Sequence, residues 1–154
     1  MAKYSVAAQS GGGDLPDVNV WLALLNARHP HYAAAKRYWD EGGEGDTAPA
    51  QRILFCRITM LGLLRLLTNK VVMGGSPYTD QQTWTAWQAV ADLLEVAFLA
   101  EPAAFDAMFF SLTIQPGFRA PDWTDVDFAA FATLAGLRLV TSDKGLRNMQ
   151  AWGC

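Results

Sequence analysis

Leu15-Pro-Asp-Val-Asn-Val20 decides the fold: a short apolar run stops on an acid, Asp17, just where a helical pattern, Val20-Trp-Leu-Ala-Leu-Leu25, begins. Acids beside brief apolar runs return in Pro121-Asp-Trp-Thr-Asp-Val126, with Asp125, and in Leu139-Val-Thr-Ser-Asp-Lys144, with Asp143. If the runs are neighbouring strands of one parallel sheet, their C-terminal ends share an edge, where open α/β sheets place their sites. The three carboxylates then converge. Carboxylates at close range repel and take up protons unless a hard divalent cation with oxygen ligands neutralises them. The pattern points to a Mg²⁺ or Mn²⁺ site.

Working outward, residues 15–18, 52–56, 96–99 and 137–141 read as strands. Between them lie helical patterns: 20–25 with Asn19 as cap, a stretch opened by Pro30 and running through Tyr38, 59–68, a long helix capped by Thr79 and running through Leu94, 101–112, and 124–134 stopped by Gly136. Trp84, Trp87, Ala91 and Leu94 fall on one face by helical spacing, and Phe128, Phe131, Ala132 and Ala135 on another. Strands and helices alternate without a repeat, so right-handed crossovers and a mostly parallel sheet of four to five strands are expected. Residues 145–154 are too short for a clear fifth strand, and residues 1–13, ending in Gly11-Gly-Gly13, read as a flexible leader or an expression remnant before one domain over 14–154.

A chain of 154 residues is the size of one ordinary domain. With 51% apolar residues and 18% charged, it is expected to be globular rather than disordered. No stretch approaches the twenty or so apolar residues of a membrane span, and no apolar centre of a signal peptide precedes Gly11, so a cytoplasmic protein with no membrane partner is expected. Cys56 and Cys154 have no paired spacing and read as reduced thiols. A net charge of −3 provides no general field for nucleic acid, yet Arg57, Arg65, Arg119, Arg138, Lys144 and Arg147 lie near the acidic segments and leave room for a local phosphate-binding rim. No Gly-x-Ser-x-Gly elbow and no phosphate-cradling Gly-x-x-x-x-Gly-Lys loop occurs.

Four segments in order, Leu15-Pro-Asp-Val-Asn-Val-Trp-Leu-Ala-Leu24, Phe55-Cys-Arg-Ile-Thr-Met-Leu-Gly-Leu-Leu-Arg-Leu-Leu-Thr68, Trp123-Thr-Asp125 with the alanine-rich helix after it, and Leu139-Val-Thr-Ser-Asp143, resemble PIN-domain ribonucleases, and among them the VapC-type toxins of bacterial toxin–antitoxin pairs. The resemblance spans roughly residues 14 to 150. It implies a three-layer α/β/α domain, a metal-dependent endoribonuclease that acts on RNA, a small cognate antitoxin and a homodimer. The apolar surplus in 18–27 and 59–68, with Trp84 and Trp87, supplies faces for such association. Of the family's four acids, Asp17, Asp125 and Asp143 match three, as catalytic and metal-ligating groups. The fourth, a glutamate in the helix after the second strand, falls on Met60, whose thioether is a poor ligand for Mg²⁺.

Asn19 and Thr141 are expected to support the carboxylates, Ser142 to hydrogen-bond a metal-bound water, and Asp122, Trp123 and Arg65 are further candidates, Trp123 for stacking on a base. Asp127, roughly 200° around the helix from Asp125, is expected to be exposed, and Glu101 before Pro102 to do no more than start a helix. His29 and His31 flank Pro30 and are read as surface residues. Rival readings stay open. Asp17 also fits a helix cap, and Asp143 before Lys144-Gly145 a turn. A PIN-like chain weakened by Met60 would be an RNA- or antitoxin-binding module. Asp17-x-Asn19 also resembles the nucleophile motif of haloacid-dehalogenase phosphatases, although no distal lysine motif accompanies it.

Overall fold

The computed structural model describes residues 12–41, 53–119 and 123–143. Four three-residue strands, β1 (Asp14–Pro16), β2 (Ile53–Phe55), β3 (Val96–Phe98) and β4 (Arg138–Val140), pair in the order β3-β2-β1-β4, every pair parallel. Six helices connect them among the described residues: α1 (Val18–Leu25), α2 (Tyr32–Glu41), α3 (Arg57–Leu67), α4 (Asp80–Ala91), α5 (Phe105–Thr113) and α6 (Trp123–Ala135). The expected α/β class and parallel sheet are present, with four strands. The expected leader and the region of a fifth strand lie outside the described residues apart from residues 12 and 13.

Alternation along the strands sorts the core into two halves. Ile53, Phe55 and Val96 face one side, where they meet Trp21, Leu22, Met60, Leu63, Leu67, Trp87 and Val90 of α1, α3 and α4. Leu15, Leu54, Ala97 and Leu139 face the other, against Phe105 of α5 and Phe128, Phe131 and Ala132 of α6. Helices thus cover both faces, the three-layer arrangement a buried parallel sheet needs. On the first side Trp21 stacks on Phe55 at 4.0 Å and Trp87 meets Phe55 edge-on at 4.6 Å.

Several boundaries depart from the expectation, each for a local reason. The cap of α1 is Asp17, not Asn19: Asp17 Oδ1 accepts from the N–H groups of Asn19 at 2.8 Å and Val20 at 3.0 Å. Thr79 caps α4 as expected, with Gln82 returning the bond in a capping box. That helix stops at Ala91, however, so Leu94 is exposed, and the buried face is Thr83, Trp87 and Val90 while Trp84 is half exposed. α5 begins at Phe105, later than Glu101. Gly136, at φ 64°, ends α6 in a left-handed conformation that costs glycine nothing.

At the start of the sheet Asp14 is gripped from two other elements. Arg138 donates to it in bidentate fashion, Nε to Oδ1 at 2.7 Å and Nη2 to Oδ2 at 2.6 Å, and Tyr38 Oη donates to Oδ2 at 2.9 Å. The contact joins β1, β4 and α2.

Candidate active site at the C-terminal sheet edge

Asp17 follows β1 and its side chain is buried, 3% exposed, where the strand turns into α1. The backbone there is fixed by the Asp17 N–H donating to Val140 C=O at 2.9 Å, which ties the end of β1 to the end of β4. Besides the two cap bonds on Oδ1, the Thr141 hydroxyl donates to Asp17 Oδ2, and the Asp143 N–H in turn donates to Thr141 Oγ1 at 2.9 Å. Thr141 is therefore the relay that sets the β4 end against Asp17. Burial pushes the Asp17 carboxyl above its ordinary pKa; Thr141 and the N–H groups of Val20 and Asn19 pull it back, and the charge of Asp143 raises it further. Asp143 itself is exposed.

The other expected residues are placed less closely. Asp125 is half-buried in the first turn of α6, a helix whose N-terminus lies at this edge because β4 follows it and runs parallel to the rest. Among the described residues, no three His, Cys, Asp or Glu side chains group closely enough to hold a metal by themselves. Asn19 takes part through its backbone N–H. Ser142 is exposed, and Asp122 lies outside the described residues. Trp123 opens α6 half exposed, with Phe118 edge-on at 4.6 Å and Phe109 tilted at 5.7 Å. Arg65 sits in the last turn of α3, about 12 Å along the axis from the start of that helix, and is not brought to this edge.

Three placements correct the sequence reading. Met60 is 3% exposed inside the Trp21–Phe55–Trp87 core, a depth its place in the motif did not announce. Asp127 is half-buried rather than exposed, and its carboxyl is pushed up to about 6, first by burial and then by the charge of Glu101. Glu101 therefore does more than start a helix. The signal was available: Glu101, like Asp17 and Asp143, stands just beyond an apolar strand. Near this pair the buried Cys56 thiol lies 2.9 Å from Thr59 Oγ1, and burial raises its pKa, with a further push from Asp127. His29 and His31 stay outside the site, their rings 5.7 Å apart, and His31 N–H donates to His29 Nδ1 at 3.2 Å.

Acids follow the adjacent strands β1 and β4 of a 3-2-1-4 parallel sheet, Asp17 and Asp143, and the first is held by cap and hydroxyl bonds. The PIN-domain family profile matches residues 15–151. The chain belongs to the PIN-domain family. Its curated relatives include Ribonuclease VapC41 of Mycobacterium tuberculosis, in strains CDC 1551 and H37Rv alike, 37% identical over 134 residues that make up 84% of this chain and 88% of the relative. Among solved structures, the M. tuberculosis VapC20, a toxin that cleaves the sarcin-ricin loop, superposes with a TM-score of 0.65 at 14% identity, covering 88% of this chain and 94% of its own. That last likeness speaks for the fold. PIN membership of the VapC type displaces the haloacid-dehalogenase reading. No helix among the described residues is long and apolar enough to cross a membrane.

Proposed function

We propose that this protein is a metal-dependent endoribonuclease, the toxin of a type II toxin–antitoxin pair, which hydrolyses RNA phosphodiester bonds in the cytoplasm. The observation that carries the reading is the buried Asp17 carboxylate held by three donors beside Asp143. Its donor set fits Mg²⁺ or Mn²⁺. An ionised carboxyl has about four lone-pair directions; Oδ1 spends two on the α1 amides and Oδ2 one on Thr141, which leaves one on Oδ2 for a hard cation. Asp143 and Asp125 supply further carboxylate oxygens from β4 and α6, and Mg²⁺ is commonly bound through one or two carboxylates with water completing its shell. Such an ion would lower the pKa of a bound water and screen the scissile phosphate.

In that scheme each residue has a task of its own. The α1 amides and Thr141 orient Asp17 so that its free lone pair does not rotate away. Thr141 keeps the Asp143 backbone at a fixed height relative to Asp17. Asp125, in the first turn of α6, would serve as a further ligand or as the base that accepts a proton from the attacking water. RNA is the substrate, a small antitoxin the cognate partner, and a homodimer the assembly; light scattering of the purified chain should give twice the 16.8 kDa protomer mass, and a monomer at tens of micromolar would reject the dimer alone.

The decisive experiment is cleavage of total RNA and tRNA with Mg²⁺ or Mn²⁺ by wild type and Asp17→Asn. Asparagine caps a helix nearly as well as aspartate, so the variant should stay folded while losing cleavage by on the order of a hundredfold or more. A second reading draws on the burial of Met60 and the absence of a three-acid group among the described residues: a binding module that engages RNA or antitoxin without cutting. A wild-type protein that binds RNA but cleaves none with either ion would install that reading instead.

A further inference from the structure

Arg57 opens α3 at the same sheet edge, and its guanidinium is held in place without being neutralised. Nη1 donates to Met60 Sδ at 3.3 Å, and Cζ lies 5.1 Å over the centroid of the Phe98 ring. A thioether is a weak acceptor and an aromatic face claims no in-plane N–H, so both contacts orient the group while most of its five donors stay unspent. Among the described residues the ion pairs are Lys36–Asp40 and Arg138–Asp14; Arg57 has none. It is exposed, and α3 carries no acid in its first turn. A rigid, unpaired fork of donors suits one ligand chemistry above others, the oxygens of a phosphate.

We propose that Arg57 binds a phosphate of the RNA strand next to the one that is cut, and that methionine at position 60 keeps it available to do so. The inference rests on the nuclease reading above. Phe98 ends β3, two strands from the strand that ends at Asp17, so Arg57 rests on the far half of the edge, the side of a flanking phosphate rather than of the scissile one. A glutamate at position 60, the residue the family resemblance places there, would sit within reach of the same Nη1 and capture it in a charge-assisted pair. Methionine gives Arg57 a support that does not compete. The departure at position 60 is then a gain of strand grip.

The test is fluorescence anisotropy of a labelled single-stranded RNA oligonucleotide with the full chain, in EDTA so that nothing is cut, across a series of potassium chloride concentrations. Arg57→Gln should weaken binding about tenfold and lower the slope of log K against log salt by about 0.7, the share of one single-strand phosphate. Arg57→Lys should restore the slope but only part of the affinity, since a point charge lacks the fork. Met60→Glu, in material shown to be folded by circular dichroism, should lose the same increment of slope. Arg37→Gln, on the exposed side of α2, should change neither. An unaltered slope in Arg57→Gln overturns the proposal; if the wild type still cuts RNA with Mn²⁺, the nuclease reading survives. Loss of poly-glutamate binding with the RNA slope intact overturns it too, assigning Arg57 to an acidic protein partner. A wild type that neither binds nor cuts RNA removes both readings.

Discussion

The C-terminal edge of the sheet has two halves that treat a buried acid in opposite ways. On the β1–β4 half, Asp17 is almost fully enclosed yet receives three hydrogen bonds, which counter part of the rise in its pKa that burial causes. On the β2–β3 half, Asp127 is only half-buried, has no hydrogen-bond donor among the described residues, and faces another acid, so its pKa climbs to about 6. Burial raises both carboxyls, and what differs is the compensation each receives. The β2–β3 half instead carries the cation, Arg57, resting on sulfur and an aromatic ring. On the readings proposed above, one half would hold a metal and the other a strand.

The sharpest way to break this contrast is Asp17→Asn, whose loss of cleavage should exceed any other single change at the edge. Next in size is Met60→Glu. If position 60 were simply a missing ligand, the new carboxylate would raise cleavage and tighten Mn²⁺ binding. Its burial among Trp21, Phe55, Leu63 and Trp87 argues the reverse: an acid there, eased only by Arg57, should cost about 2 kcal/mol of stability in urea unfolding and leave Mn²⁺ affinity unimproved by titration calorimetry. A gain in Mn²⁺ affinity would show that the two halves share one site.

The smallest effect belongs to Asp127→Asn and depends on pH. The native carboxyl titrates near 6 against 3.8 when unfolded, so the native state holds the extra proton across that window. Stability therefore falls as pH rises from about 4 to 6 and stays lower above it. Removing the charge should stabilise the protein at pH 8 by about 1 kcal/mol, a value discounted for partial exposure, with the gain vanishing near pH 4. Thermal melts at the two pH values decide it; an equal shift at both would mean that Asp127 acts through packing, not charge.

Much of this was legible in the chain. Short apolar runs announced all four strands, and acids just past Pro16 and Val140 lie at the C-terminal edge of the sheet they form. What stayed hidden were properties of the third dimension. Helical spacing put Trp84 beside Trp87, but α4 ends at Ala91 and rotates its buried face onto Thr83 and Val90. A helix-wheel argument set Asp127 apart from Asp125 and was right about that angle, yet it had no information on which neighbour, Glu101, closes over the far side. Met60 read as a poor ligand from its residue type; the depth at which its side chain lies is information the sequence does not carry.

The Asp14–Arg138–Tyr38 contact lies at the opposite end of the strands, about 10 Å from Asp17. It works like a registration pin between β1 and β4. Because Asp17 and Asp143 are carried by those two strands, a slip between them would put the acids out of step and flip the strand's inward face outward. A chain altered only at Asp14 could keep every acid of the edge and still behave as a catalytic null, and a screen for escape from toxicity would return such changes beside those in Asp17 itself.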